Sequence, residues 1–342
     1  MLLYSWLLVD KKIEIEQRDI EQTSRTTLPK KRKSNTAQFL IMALLNTTLI
    51  LILAILVSYY ISTNDSNLTT KVTFMFFDLL GMNPTKWHVG KEWKYFLDMY
   101  DERVEKNFNH CTSRLIPTSF GKTHVLDCNP DSNLPVVLFF HGARDTATSW
   151  KYQVQSTEMQ SKFHMIAVDY ICDAGRSLPI KCPSEKGDHG KWVKDLMAYL
   201  KIENADLVGY SYGSFVSASV GIEAPDLVKG RNIILNAPAA VVTPVRVGFW
   251  YHVLMPAIFQ NTMGFDLKWY MDYVTSPNYD LENEHLQSAL KYQLAMMDVS
   301  YEYDLGILPY SFSDKELQQL SSAANVVLIM PELETVTDPK VG

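Results

Sequence analysis

The chain has 342 residues, a formal net charge of -6, 47% hydrophobic residues and 20% charged ones, a globular composition with room for a large buried core and appendages. That acidic balance excludes a surface that tracks nucleic-acid phosphates, which needs a basic excess in the folded part. Residues 1–38 are polar and mixed in charge after a short apolar start, and they are expected to remain a flexible tail.

From Phe39 to Ile61 the sequence "FLIMALLNTTLILILAILVSYYI" carries no charge. At about 1.5 Å per residue it spans a hydrocarbon core of roughly 30 Å. It lies too far from the N-terminus for a cleaved signal peptide, so residues 39–61 are expected to be one transmembrane signal anchor. Arg25, Lys30, Lys31, Arg32 and Lys33 crowd its N-terminal flank, whereas Lys71 is the nearest base beyond it. The positive-inside rule then predicts a cytosolic tail, with the rest lumenal or extracellular, in the endomembrane system or at the cell surface. Asn64 and Asn67 open glycosylation sequons on that side.

Residues 62–110 read as a stalk followed by leading helices. After them the period changes. Runs at 111–117 and 122–127 predict a hairpin. Short, nearly continuous apolar runs follow at 135–140, 163–168, 205–209, 231–237 and 324–330, alternating with helical stretches. Continuous apolar strands between helices predict an α/β domain over 111–342, with a mostly parallel sheet and helices on both faces. Trp192, Leu196, Tyr199 and Leu200 recur at helical spacing and predict a crossover helix within 188–202. Residues 238–323 hold no comparable strand and are expected to form a helical cap. Its aromatic and methionine residues, such as Trp250 and Met255, suit either helix packing or an apolar acyl pocket.

All four cysteines follow the apolar segment. Cys111 and Cys128 flank the hairpin, and Cys172 and Cys182 would close a short loop, so the spacing allows two disulfides in an oxidising compartment as well as four unrelated thiols. The absence of a Cys-x-x-Cys pair or a nearby histidine pattern gives no metal site.

The chemistry centres on Gly209-Tyr210-Ser211-Tyr212-Gly213, which ends a predicted strand and opens a predicted helix. A serine at so sharp a turn needs room for a strained backbone, which Gly209 and Gly213 supply. The helix N-terminus favours negative charge developing there. Earlier, "LFFHGARD" ends another strand at residues 138–145. Its His141-Gly142 turn would aim the Ala143 amide at the same point as the Tyr212 amide, making an oxyanion hole in which each donor is worth about 3 kcal/mol.

Together the strand order, the His141-Gly142 turn, "VDYICDAGRS" at 168–177 and the glycine-flanked serine resemble the α/β-hydrolase superfamily from about residue 110 to the end. More narrowly, the chain is similar to bacterial carboxylesterase-like members, close to the pimeloyl-carrier-protein methyl ester esterase group. The resemblance implies an eight-stranded sheet, a helical cap after the sixth strand, no cofactor and a Ser-acid-His triad. By position it makes Ser211 the nucleophile and the amides of Tyr212 and Ala143 the oxyanion donors. Glu334, in "PELETVTDP" at 331–339, falls at the acid position, with Glu332 and Asp338 as lesser candidates. An aspartate nucleophile is absent from the elbow, which argues against dehalogenases and epoxide hydrolases. Arg144-Asp145 departs from the small polar residues usual in relatives.

The triad histidine is expected after one more helix and an eighth strand, and no histidine follows His285. The sequence is therefore expected to continue beyond Gly342; without that strand, residues 324–330 would form an exposed apolar edge. His88, His110, His124, His164 and His189 precede the elbow on surface or strand positions, while His252 and His285 fall in the cap. The expected protein is a membrane-anchored serine hydrolase that cleaves small-molecule or lipid-like carboxylic esters through an acyl-enzyme. The alternatives are a non-catalytic hydrolase-like binding module, and an acyltransferase or carbon–carbon bond hydrolase on the same fold.

Overall fold

A computed structural model describes residues 91–130, 133–246, 283–300 and 306–331, together with positions 248, 249, 252 and 273. The expected anchor at 39–61, the tail before it and Glu334 lie outside the described residues. Among the described residues no helix is long and apolar enough to cross a membrane.

Helix α1 (Lys91–Asn107) leads into the hairpin β1 (Cys111–Thr118) and β2 (Gly121–Cys128). The two strands pair antiparallel from Cys111 opposite Cys128 to Thr118 opposite Gly121, and a disulfide joins the two cysteines at the open end. Then come β3 (Val136–Phe140), helices α2 (Lys151–Gln155) and α3 (Thr157–Lys162), and β4 (His164–Val168). β5 (Leu178–Pro179) follows, then α4 (Asp188–Leu200), β6 (Asp206–Tyr210), α5 (Tyr212–Glu223) and β7 (Asn232–Asn236). The last described elements are α6 (Glu284–Ser300), α7 (Asp314–Ala323) and β8 (Asn325–Ile329).

The sheet order is β1-β2-β4-β3-β6-β7-β8, with β5 paired to β2. β2 meets β4 antiparallel, and from β4 through β8 every pairing is parallel. Sequence explains the burial: "VVLFF" in β3 and, after His164, "MIAV" in β4 alternate no polar residue in, so both sheet faces are covered. β8 is equally apolar, yet Val327, Leu328 and Ile329 are exposed, because among the described residues it pairs only with β7. The two-residue β5 carried no strand signal in the sequence, and a second disulfide, Cys172–Cys182, closes the loop around it.

Helix α4 corrects part of the expected stripe. Trp192, Val193, Leu196 and Met197 are buried, but Tyr199 is exposed, since the buried stripe also runs through His189, Val193 and Met197 and leaves position 199 just outside its edge. Helix α5 lies close on the sheet through its small residues. A Cβ on Gly221 would come within 2.6 Å of both Ile233 and Leu320. Helix α7, at the end of the range expected for a cap, packs on α5 as the crossover before β8. Helix α6 packs on α1 through Tyr292, Ala295, Met296 and Val299 against Phe96 and Tyr100. The described positions 248, 249, 252 and 273 belong to a separate unit, in which His252 stacks on Tyr273 and shares a hydrogen bond with the Gly248 carbonyl.

Candidate active site

Ser211 sits between β6 and α5 with φ 51° and ψ -113°, a backbone state that costs a non-glycine residue about 1–3 kcal/mol. Hydrogen bonds hold it there. Its amide donates to the Asn236 carbonyl at 2.9 Å, and its carbonyl accepts from the amides of Ser214 and Ala239. The flanking glycines are steric requirements: a Cβ on Gly209 would stand 2.2 Å from the Gly213 carbonyl oxygen, and one on Gly213 would stand 2.0 Å from the Phe140 oxygen. The turn therefore pins the first turn of α5 against the end of β3.

The His141-Gly142 turn lies beside this elbow, because β3 and β6 are parallel neighbours that end at the same level. A Cβ on Gly142 would lie 3.4 Å from the Ser211 Cβ, which measures how close the two turns come. His141 is buried and serves the turn. Its Nε2 accepts from the Tyr170 amide at 2.9 Å, so Nδ1 carries the proton and donates to the Gly142 carbonyl at 2.8 Å. Ala143 follows at an exposed position.

Sequence reading missed the carboxylates that hold this loop. Arg144 adopts φ 59°, and its amide donates to Asp173 Oδ2 at 2.6 Å. The Ala147 amide donates to Asp169 Oδ1 at 2.7 Å, and Gln293 of α6 donates its side-chain amide to the Arg144 carbonyl at 2.8 Å. Burial pushes the Asp173 carboxyl above the ordinary carboxylate range, against the opposing pull of Arg144. Asp169 and Asp173 both stand in "VDYICDAGRS", so the signal was present in the quoted stretch; what sequence did not show was that it anchors the neighbouring loop.

The other described histidines of this unit have partners elsewhere. His110 pairs with the Val154 carbonyl, His124 with Ser113 and Asp169, His164 with Asp127, and His189 with the Tyr170 hydroxyl. One expectation changes here. His189 lies on a helix and is fully buried, not on a surface or a strand, because Tyr170, Tyr212 and Phe215 enclose it. The pairing of Cys111 with Cys128 also takes two thiols out of the one group, with His110, whose spacing otherwise suits a metal among the described residues.

This sheet, with a serine at the β6–α5 turn and the His141-Gly142 turn beside it, defines an α/β hydrolase fold. Residues 135–274 match the family model described as alpha/beta hydrolase fold. Similar proteins include an uncharacterised carboxylesterase, nap, of Bacillus subtilis strain 168, 27% identical over 71% of this chain and 78% of its own length. Carboxylesterase YbfK of the same organism is 25% identical over 70% of this chain and 78% of its own length. The crystal structure of naproxen esterase from Bacillus subtilis superposes with a TM-score of 0.59 at 21% identity, covering 74% of this chain and 85% of that one.

Proposed function

We propose that this protein is a serine hydrolase that cleaves carboxylic esters through an acyl-enzyme on Ser211. The observation that carries this reading is the left-handed backbone of Ser211 at a strand-to-helix turn, with the His141-Gly142 turn packed beside it. The carboxylesterase names of its relatives support the substrate class. Ser211 Oγ attacks the ester carbonyl while the amides of Tyr212 and Ala143 receive the oxyanion, each worth about 3 kcal/mol. Glu334 is the carboxylate assigned to orient the imidazole that takes the serine proton and returns it to the departing alcohol, and water then attacks the acyl-enzyme to release the acid. With p-nitrophenyl esters as substrate, Ser211→Ala is expected to lower kcat by about a thousandfold or more. Equal turnover by parent and variant would remove Ser211 from the reaction and favour a non-catalytic binding module.

The same reading places the domain on the lumenal or extracellular side of a membrane, anchored by residues 39–61. The basic flank of that segment and the two disulfides support it. Protease added to sealed microsomes is expected to spare the hydrolase domain; its digestion without detergent would reverse the orientation.

A further inference from the structure

A second hydroxyl–imidazole–carboxylate chain lies three strands away from the elbow. Ser113 is exposed on β1, and its Oγ lies 2.7 Å from His124 Nε2 on β2. On the other side of the ring, His124 Nδ1 lies 2.8 Å from Asp169 Oδ2 at the end of β4. Strand register makes this possible: Ser113 pairs with Leu126 and Leu115 with His124, so Ser113 and His124 are diagonal neighbours on one face of the hairpin. His124 and Asp169 are both buried.

The protonation of this chain follows from its partners. Burial pushes the Asp169 carboxyl up, but hydrogen bonds from the His124 ring and the Arg176 amide hold it below the ordinary range. The carboxylate also accepts from the Ala147 amide and the Tyr100 hydroxyl. An ionised carboxylate can only accept, so His124 Nδ1 donates to it. When the ring carries only that proton, Nε2 offers its lone pair to Ser113, whose hydroxyl donates. That tautomer is the one in which an imidazole takes a hydroxyl proton.

We propose that Ser113 is an activated hydroxyl that accepts an acyl group from activated esters, a covalent site independent of Ser211. Ser113 Oγ bonds to the ester carbonyl carbon while its proton passes to His124 Nε2. The bond from that carbon to the leaving oxygen then breaks, and His124 returns the proton to the departing alcohol. The products are acyl-Ser113 and a free alcohol, with Asp169 a carboxylate throughout. Ser113 stands in mid-strand, away from the helix N-terminus and turn that serve Ser211, so the acyl group is expected to accumulate instead of turning over.

The test uses the full chain carrying Ser211→Ala, p-nitrophenyl acetate as acyl donor, and peptide mass spectrometry. The expected result is acetyl-Ser113 forming about a hundredfold faster than adducts on the exposed Ser119 and Ser161, the scale of general-base assistance. Ser113→Ala abolishes that adduct and Ser113→Thr retains it. Acetylation of Ser113 no faster than of Ser119 and Ser161 would overturn the proposal. Because Ser211 is absent from the tested protein, the outcome at Ser113 leaves the reading of Ser211 intact.

Discussion

Replacing Gly213 by alanine is expected to cost about 3 kcal/mol or more of folding stability, the upper end of what overpacking does. The added Cβ would stand 2.0 Å from the Phe140 oxygen and 2.6 Å from the His141 oxygen. Both are backbone atoms, one in a central strand paired on both sides and one in the turn that follows it, so neither can swing away as a side chain would. Gly142→Ala makes a useful contrast. Its Cβ would meet side-chain atoms of Tyr210 at 3.1 Å and of Ser211 at 3.4 Å, contacts with side chains rather than with backbone. Denaturant midpoints of the two variants are expected to separate widely. Gly213→Ala as stable as the parent would mean that the two turns are not in contact as described.

Acid is expected to weaken the fold through His189. Burial pulls its pKa from 6.5 down to about 4, opposed only by the charge of Asp188. Its Nε2 meets the Tyr170 hydroxyl at 3.1 Å, and its Nδ1 has no hydrogen-bond partner, so nothing in the pocket welcomes a second proton. The folded pKa is depressed below the unfolded one, so the unfolded chain binds the proton first as pH falls. The stability this neutral ring contributes is present above about pH 6.5 and is lost progressively down to about pH 4, roughly 3 kcal/mol in all. The aromatic replacement His189→Phe keeps the packing against Tyr212 and Phe215 and is expected to flatten this slope between the two pH values. Parallel slopes for parent and variant would assign the acid sensitivity to other groups. Since the Tyr212 ring packs on His189 and its amide is an assigned oxyanion donor, loss of that packing is also expected to reach the elbow.

The sheet was legible because buried parallel strands need uninterrupted apolar runs, and "VVLFF", "HMIAV" and "NIILN" have few other uses between helices. The elbow was legible for a different reason: the paired glycines at 209 and 213 answer clashes with backbone, and backbone clashes leave glycine as the only residue that fits. What stayed hidden was contact between distant polar residues. Asp169 gathers Tyr100, His124, Ala147 and Arg176, which are spread over seventy-odd positions of sequence, and no periodicity marks such a hub. His189 was misjudged for a related reason. It follows Asp188 in a polar stretch, and only the rings of Tyr170, Tyr212 and Phe215, supplied by other elements, make its position a core one. Tyr199 failed the opposite way, since the buried stripe of its helix is centred nearer His189, Val193 and Leu196 than the apolar spacing suggested.

The central claim is that Ser211 is a nucleophile, and covalent capture tests it most directly. The full chain is treated with a fluorophosphonate and the adduct is located by peptide mass spectrometry. The account predicts a phosphonylated Ser211 in the parent and no adduct at that position in Ser211→Ala, whatever other serines react. A parent protein that stays folded and leaves Ser211 unmodified under conditions that label carboxylesterases would contradict it.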